Sequence, residues 1–345
     1  MGSTPSHREA RAHRRTLSPP QPGLFASLQS PERQLPAPAE TITAGIRQGD
    51  AYDLMKALPA ASVDLLITSP PYWGHRTYEQ DHNWNVLAGW LALGRSSSEV
   101  PDYEWYRRNG GLLGLEPLPD WYVHHLVQIL DQAKLCLKPQ GSLWINVGDT
   151  YFARWASIRE KGRQGLGDTA RGRRRTPMGG YRQEKQLLLV PARFAIAMQD
   201  QRWILRNDLI WYKPNVPPRP ESDRLRLAHE HFFHFVKRPK IGRAKYFYDI
   251  RYAEPGATDV VTYYVRSGQD GHTATFPEEL IKPRILSSCP AGGLVLDPFC
   301  GTGRALAVAV ESGRSAVGFD LSAAYVEATR ELLLSRQGVH VVHQV

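Results

Sequence analysis

A strand–turn–helix pattern near the carboxyl end of the chain constrains the fold more than any other feature. The apolar run Leu294–Asp297 predicts a buried strand, and the turn Asp297–Gly303 that follows contains two glycines and leads into a helix predicted over Arg304–Ser312. Glycines at such a point let the backbone approach a ligand at the carboxyl end of a strand. The next predicted strand, Ala316–Asp320, ends in a carboxylate suited to ribose hydroxyls. The pattern predicts a nucleotide-type cofactor in an α/β fold.

Strand and helix patterns alternate along the rest of the chain. Further strands are predicted over Thr43–Arg47, Val63–Thr68, Ser142–Val147, Trp203–Trp211 and His231–Val236, and further helices over Ala51–Leu58, Trp121–Leu137, Val190–Gln199 and Ala323–Arg336. This alternation predicts an α/β fold with a doubly wound, mostly parallel sheet. We expect one domain over residues 41–345, preceded by a disordered, basic tail over residues 1–40, which are rich in Pro, Ser, Arg and Gln.

A second motif, Thr68-Ser69-Pro70-Pro71-Tyr72-Trp73, directly follows a predicted buried strand. Its two prolines hold the backbone and remove two N–H donors, which leaves carbonyl groups free for a substrate. The Ser69 hydroxyl and the Pro70 carbonyl are placed to accept the two hydrogens of an amino group, which would direct the nitrogen lone pair toward an electrophilic methyl. Tyr72 offers an aromatic face on which a planar base can stack. The motif therefore predicts methyl transfer to an exocyclic amino group.

The order of these two motifs resembles that of the amino-methylating DNA methyltransferases of bacterial restriction–modification systems, in the arrangement called the β class. In that family a (D/N/S)PPY motif precedes a DPFxGxG motif, as Ser69–Tyr72 precedes Asp297–Gly303 here. The resemblance covers about residues 43–335 and implies a Rossmann-like, S-adenosylmethionine-dependent methyltransferase fold. Other segments that resemble family motifs are Gly49-Asp50, Asn207–Asn215, His229-Glu230, Tyr246–Asp249 and His272–Pro277.

The resemblance implies roles for individual residues, with S-adenosyl-L-methionine as the cofactor. The catalytic residues would be Ser69, Pro70, Pro71 and Tyr72. The cofactor-binding residues would be Asp50, Thr68, Phe276, Asp297, Pro298, Phe299, Gly301, Gly303 and Asp320.

Serine at position 69 bears on the substrate. In the family, SPPY mostly accompanies methylation of the cytosine 4-amino group, and DPPY that of the adenine 6-amino group. The sequence thus predicts a cytosine-N4 DNA methyltransferase, with an adenine-N6 enzyme or a catalytically inactive DNA-binding regulator as alternatives. Methylation at carbon 5 of cytosine needs a cysteine nucleophile, typically in a Pro-Cys context. Cys136, Cys289 and Cys300 lack that context and are better explained as small buried residues.

Charge indicates where the DNA would lie. A net charge of +9 favours a polyanionic partner, here double-stranded DNA with the target base flipped out of the stack. We predict that three inserted segments, residues 74–120, 153–185 and 250–271, recognise the DNA, the second as a long basic loop. For any single arginine of that loop, a purely electrostatic role is the simpler explanation. The predicted DNA-binding residues are Arg76, Arg163, Arg171, Arg173, Arg174, Arg175 and Lys213.

Other sequence patterns bear on compartment and partners. The chain has no apolar run of about 18 residues and no apolar leader, so we predict a bacterial or archaeal cytoplasmic protein at the nucleoid, away from membranes. Three cysteines without a CxxC pair suit a reducing cytosol. The histidines lack the spacing of a zinc site, so no metal is predicted. A separate cognate restriction endonuclease is a possible partner, and monomer and homodimer both stay open.

Overall fold

A computed structural model describes residues 41–74, 77, 80–158, 172–216, 222–252, 258–265, 277–336 and 339–342, with backbone only for residues 155–158, 172–175 and 342. The described strands are β1 (Ile42–Gln48), β2 (Val63–Thr68), β3 (Leu137–Val147), β4 (Trp155–Ile158), β5 (Gly172–Arg175), β6 (Trp203–Tyr212), β7 (His229–Lys237), β8 (Val260–Thr262), β9 (Leu294–Asp297), β10 (Ser315–Asp320) and β11 (Val339–Val342). The described helices are α1 (Ala51–Lys56), α2 (Val86–Ala92), α3 (Tyr103–Arg108), α4 (Pro119–Cys136), α5 (Val190–Asp200), α6 (Glu278–Ser288), α7 (Arg304–Glu311) and α8 (Ala323–Leu334), with a short 3-10 turn at Ile250–Tyr252.

Nine of the described strands form one sheet in the order β11-β1-β10-β9-β2-β3-β7-β6-β8. Neighbouring strands from β11 to β3 run parallel. β7 is antiparallel to both β3 and β6, and β8 is parallel to β6. The prediction of a mostly parallel sheet is confirmed.

Helices cover both faces of this sheet. One hydrophobic cluster joins residues of α1, α3, α4 and α5 to one face, and a second cluster joins α6, α7 and α8 to the other. Successive side chains of β2 point to opposite faces of the sheet, so Leu66 lies in the first cluster whereas Leu65 and Ile67 lie in the second. Every residue of β2 is buried, as expected of a parallel strand covered on both sides. The doubly wound architecture predicted from the sequence is therefore confirmed.

The strand order brings the two sequence motifs together. β2 lies between β9 and β3, and Leu66 pairs with both Leu296 and Leu143. Because parallel strands end at the same edge of a sheet, the segments that follow β2, β9, β10 and β1 emerge side by side. Antiparallel β7 begins at that same edge, where His231 pairs with Val147. One edge of the sheet therefore carries the Ser69–Tyr72 motif, the glycine turn and the start of β7.

The segment over residues 74–120, which we predicted as an insertion that recognises DNA, contains helices that the sequence analysis did not predict. The segment contains α2 and α3, and Tyr103 and Tyr106 of α3 are buried. The ring of Tyr106 stacks on His125 of α4, with ring centroids 4.6 Å apart. Glycine and scattered aromatic residues hide the helical period, since these helices span only 7 and 6 residues. Much of the segment thus belongs to the helical layer.

The other two predicted insertions also contain regular structure. The ends of the predicted basic loop form an antiparallel ribbon of β4 and β5, in which Trp155 pairs with Arg175. Within residues 250–271, β8 adds an edge strand beside β6. The sequence analysis did not predict α6, β8 or β11. In α6 the helical pattern is hard to recognise, because the helix contains Pro283 and has two charged residues in its first turn.

Three further expectations concern the whole chain. The predicted tail, residues 1–40, lies outside the described residues, and the division into domains stays a prediction. All three cysteines are buried and unpaired, as predicted. Among the described residues, no helix is both long enough and apolar enough to cross a membrane.

Candidate active site

The turn after β9 is held by a buried carboxyl group. Asp297 is 3% exposed and accepts hydrogen bonds from the Phe299 amide, at 3.1 Å, and from the Thr68 hydroxyl, at 2.5 Å. Burial raises the pKa of Asp297 to about 7, against the opposing effect of these two bonds. Because Thr68 is the last residue of β2, its hydrogen bond joins the start of the Ser-Pro-Pro-Tyr segment to the turn across 229 positions of sequence. Both side chains thus act within the protein to shape the turn.

The two glycines of the turn have different surroundings. Gly301 has a φ of +51°, and a Cβ added there would meet nothing within 4 Å. Gly303 has a φ of +75°, and a Cβ there would lie 2.4 Å from Cγ2 of Thr329. Gly303 therefore permits close packing of α7 against α8, whereas Gly301 leaves open space above the turn.

Two carboxylates follow neighbouring strands at the same edge of the sheet as this turn. Asp320, at the end of β10, accepts from the amides of Gly301 at 3.0 Å and Ser322 at 2.9 Å. Asp50, just after β1, accepts from the Tyr103 hydroxyl at 2.8 Å. β1 and β10 end together, because Gln48 pairs with Asp320. Burial raises the pKa of both carboxyl groups.

These residues fit a nucleoside cofactor. The half-buried Asp320 carboxylate, the amide-lined turn and the space over Gly301 together form a cradle at the carboxyl edge of the sheet. In the same turn Pro298 is buried and Phe299 is half-buried. The predicted residue Phe276 lies outside the described residues.

The Ser69–Tyr72 motif opens onto a cluster of polar side chains, of which Asn146 is buried and the others are half-buried. The Tyr72 hydroxyl donates to Oε2 of Glu230 at 2.8 Å. Nδ2 of Asn146 donates to both of these oxygens at 2.5 Å. The Ser69 hydroxyl donates to Oη of Tyr72 at 3.4 Å, and Lys213 forms an ion pair with Oε1 of Glu230. We call these five residues the tyrosine pocket.

Electrostatics set the charge state of the tyrosine pocket. Burial, with the nearby Glu230 carboxylate, raises the pKa of Tyr72 well above its usual value, so its phenol is neutral. Burial would also raise the pKa of Glu230. The positive charge of Lys213 and the hydrogen bonds from Lys213, Asn146 and Tyr72 outweigh burial and lower that pKa. At neutral pH the pocket therefore combines a neutral phenol with an ionised carboxylate.

Sequence reasoning did not assign Asn146 or Glu230 to this site. The available signals were an amide inside the apolar strand β3 and a carboxylate at the start of the apolar strand β7, since such polar residues are seldom buried without a partner. Lys213 was predicted to contact DNA from the surface. The structure instead places its ammonium group inside the tyrosine pocket, with the side chain 11% exposed.

The ribbon of β4 and β5 emerges beside the same edge of the sheet. Its base is closed by hydrogen bonds from the Phe152 amide to the Gln186 carbonyl, at 2.7 Å, and from the Thr176 amide to the Arg154 carbonyl, at 2.8 Å. Of the predicted DNA-binding residues, Arg173, Arg174 and Arg175 lie on β5, where the backbone alone is described. Arg76, Arg163 and Arg171 lie outside the described residues. In the described part of the chain, no cluster of three His, Cys, Asp or Glu residues could hold a metal.

A doubly wound sheet with a glycine turn beside an SPPY motif defines an α/β methyltransferase, and comparison with known proteins identifies the family. The N6_N4_Mtase model, described as DNA methylase, matches residues 63–331, and the chain belongs to this family. The chain is therefore a DNA methyltransferase, with S-adenosyl-L-methionine as its cofactor. Both predictions are confirmed.

Individual relatives agree with this assignment. The chain is 32% identical over 294 residues to the type II methyltransferase M.XycI of Xanthomonas campestris pv. cyanopsidis, covering 83% of this chain and 86% of that protein. It is 32% identical over 298 residues to M.Cfr9I of Citrobacter freundii, covering 84% and 87%. Among solved structures, the PvuII DNA methyltransferase (cytosine-N4-specific) shares the fold with a TM-score of 0.58 and 20% identity, over 87% of this chain and 90% of that one.

Proposed function

We propose that this chain methylates the exocyclic N4 amino group of cytosine in double-stranded DNA. The observation that carries the proposal is the neutral hydroxyl of Ser69, which lies at the head of the tyrosine pocket, 3.4 Å from Oη of Tyr72. In the family that this chain resembles, serine at this position mostly accompanies cytosine. The pocket already holds the ionised Glu230, and a second carboxylate at position 69 would add a like charge next to it.

The geometry indicates how the pocket would orient the base. A flipped cytosine would stack on the half-buried ring of Tyr72, while Ser69 Oγ and the Pro70 carbonyl accept its two amino hydrogens. When bound, S-adenosylmethionine supplies an activated sulfonium methyl. The Thr68–Asp297 hydrogen bond fixes the separation of base pocket and cofactor cradle, so that the amino nitrogen can be held in line with the methyl.

Cofactor binding would fall to the cradle. We assign the ribose hydroxyls to Asp320, because it accepts from the Gly301 amide, and to Asp50 a contact farther along the cofactor, because it follows the neighbouring strand β1 at the same edge of the sheet. Thr68 and Asp297 contribute indirectly, by shaping the turn. Phe276 stays a proposed contact of the cofactor.

DNA recognition would fall to the ribbon of β4 and β5, with the segments over residues 74–120 and 250–271. The proposed phosphate or base contacts are Arg76, Arg163, Arg171, Arg173, Arg174 and Arg175. We move Lys213 from this group to the tyrosine pocket, because its ammonium group pairs with Glu230. Since the relatives are named type II methyltransferases, we propose that a cognate restriction endonuclease acts separately on the same site.

Product analysis tests the assigned base. Plasmid DNA is methylated by the purified chain, digested to nucleosides and examined by mass spectrometry. N4-methyldeoxycytidine is the expected product, and Tyr72→Ala, which lacks the stacking ring, serves as the control for background methylation. N6-methyldeoxyadenosine alone would overturn the cytosine assignment and leave the family unchanged. A wild type that neither binds S-adenosylmethionine in calorimetry nor methylates DNA would overturn the proposed activity and favour the alternative of an inactive DNA-binding regulator.

A further inference from the structure

A continuous chain of hydroxyl donors leads out of the proposed base pocket. The Ser69 hydroxyl donates to Oη of Tyr72 at 3.4 Å, and the Tyr72 hydroxyl donates to Oε2 of Glu230 at 2.8 Å. Both bonds point the same way, so each hydroxyl can pass its own proton on while receiving another. The chain begins at the oxygen assigned to the substrate amino group and ends at the carboxylate of Glu230, whose side chain is 15% exposed.

Chemistry at the amino group creates a need for such a path. Methyl transfer to a neutral nitrogen leaves that nitrogen positively charged, and it must then lose a proton. A serine hydroxyl alone is a weak base and cannot hold that proton. Ser69 therefore needs a group behind it that can accept one.

We propose that Ser69, Tyr72 and Glu230 form a proton relay that carries the amino proton of the methylated base to the Glu230 carboxylate. The proposal rests on the proposed function, since it requires an amino group at Ser69. Glu230 is the final proton acceptor in this relay and acts through Tyr72. Its position in the sequence did not indicate this role.

The relay balances atoms and charge. As the bond from nitrogen to the methyl carbon forms, the bond from that carbon to sulfur breaks and its electron pair stays on sulfur. The cationic nitrogen then gives a proton to Ser69 Oγ, Ser69 gives its own proton to Tyr72 Oη, and Tyr72 gives its own to Glu230 Oε2. Both hydroxyls end as they began, the nitrogen becomes neutral, and the carboxylate becomes a carboxylic acid. Glu230 later loses this proton to water, after the product leaves.

The surroundings of Glu230 suit a proton acceptor that acts through a neutral phenol. Among the described residues, the charged and titratable groups that act on the relay include Lys213, which follows β6 and pairs with Glu230, and Tyr122 of α4, which acts on Tyr72. Lys213 and Asn146 are positioning residues. Asn146 donates to both Tyr72 Oη and Glu230 Oε2 at 2.5 Å and so fixes their relative orientation.

Backbone packing also holds the middle member of the relay in place. A Cβ added at Gly148, just after β3, would lie 2.8 Å from the Tyr72 ring, so the backbone passes directly beside that ring. Such close packing leaves Tyr72 little freedom to turn its hydroxyl away from Glu230.

The test removes one relay atom at a time. Tyr72→Phe deletes the middle hydroxyl and keeps the ring that stacks on the base, and Glu230→Gln keeps the shape of the acceptor but removes its basicity. Tyr106→Phe is the matched control, because it deletes another buried hydroxyl, one that donates to the Leu112 carbonyl at 3.0 Å. Single-turnover methylation is measured for each at saturating DNA and cofactor, from about pH 3.5 to pH 8, so that the range extends below the usual pKa of a glutamate.

We expect the rate of methyl transfer to fall on the order of 10²-fold in Tyr72→Phe and Glu230→Gln, a size typical of losing one proton-transfer group, with the dissociation constants of DNA and cofactor little changed. Because the pKa of Glu230 lies below its usual value, the wild-type rate should stay level near neutral pH and decline only in the most acid part of the range, as Glu230 takes up a proton. That acid limb should be absent from both variants and present in Tyr106→Phe. A wild-type rate or an intact acid limb in Tyr72→Phe would overturn the relay.

Failure of the relay and failure of the cytosine assignment give different results. A wild-type chain that methylates only adenine refutes the cytosine assignment, while the same variants still decide whether the relay exists. Glu230→Gln leaves the Lys213 ammonium without its carboxylate and can unfold the protein. In that case Tyr72→Phe, which removes a single oxygen atom, decides the question.

Discussion

Two glycines of the turn after β9 allow a test that separates cofactor binding from folding. Gly301 and Gly303 both have a positive φ, at +51° and +75°, so alanine at either position costs about 1–2 kcal/mol in backbone energy. A smaller gain of about 0.4–1 kcal/mol, from a less flexible unfolded chain, partly offsets this cost. For Gly301→Ala that balance is the whole effect, because the added Cβ meets nothing within 4 Å. We expect its free energy of unfolding to fall by about 1 kcal/mol.

Gly303→Ala meets a further obstacle. Its Cβ would lie 2.4 Å from Cγ2 and 2.9 Å from Oγ1 of Thr329. That threonine hydroxyl donates to the Gly301 carbonyl at 2.8 Å, so it cannot move away without loosening the turn. Overpacking of this kind adds about 1–3 kcal/mol, so the total loss of unfolding free energy should be about 3 kcal/mol.

Urea unfolding and calorimetry with S-adenosylmethionine distinguish the two variants. Gly301→Ala should stay folded but bind the cofactor at least about 10-fold more weakly, the equivalent of about 1.4 kcal/mol, because its methyl group enters the cradle. Gly242→Ala is the matched control, since Gly242 has a φ of +78° with open space around it and lies beyond the end of β7. If Gly301→Ala bound the cofactor as well as Gly242→Ala does, the cofactor would not lie over Gly301.

Three further perturbations test the link between the motifs, the buried histidine and the ribbon. Thr68→Val removes the hydroxyl donor of the buried Asp297 carboxyl group and leaves it the Phe299 amide. The unfolding free energy measured in urea should fall by about 1–3 kcal/mol, whereas Thr68→Ser should retain most of the wild-type stability; equal stabilities would show that the bond contributes little. Burial lowers the pKa of His234 to about 3, so the unfolded chain binds this proton more readily than the folded one. Its contribution is intact above the unfolded pKa of about 6.5 and falls with pH below it, by up to about 1.4 kcal/mol per pH unit, until about pH 3. Thermal or urea unfolding of His234→Gln should show a weaker acid dependence than the wild type, and an identical one would contradict this reasoning. DNA affinity should fall steeply with salt, and glutamine at Arg173, Arg174 and Arg175 together should flatten that slope in a titration; an unchanged slope would remove the ribbon from the DNA interface.

Local patterns made much of the fold predictable. Apolar runs such as Val63–Thr68 and Leu294–Asp297 are strands in the structure, because covering both faces of a parallel sheet requires continuous apolar stretches. The short helices within residues 74–120 were missed, since they are held by aromatic contacts such as that of Tyr106 with His125, and no period in the sequence records such contacts. The arginines around residues 173–175 were predicted as a loop, yet they pair with β4.

In the site, too, local features were predictable and long-range contacts were not. Ser69, Tyr72 and the glycine turn could be predicted from the sequence, because each belongs to a short motif whose residues are adjacent along the chain. Glu230 and Asn146 could not be assigned from the sequence, since a carboxylate and an amide become pocket residues only when β7 and β3 pair. Lys213 was predicted on the DNA surface for the same reason, as its charge was visible and its partner Glu230 was not.

The amino-acid sequence was enough to predict the class of fold, the two motifs and their order, because each depends on residues close together along the chain. Which of those residues meet is set by the packing of the folded chain. The placement of β2 beside β9 puts the Thr68 hydroxyl on Asp297, and the reversal of β7 brings Glu230 to the phenol of Tyr72. Such contacts between residues far apart in sequence depend on strand order and register, which follow from how the whole chain covers its core.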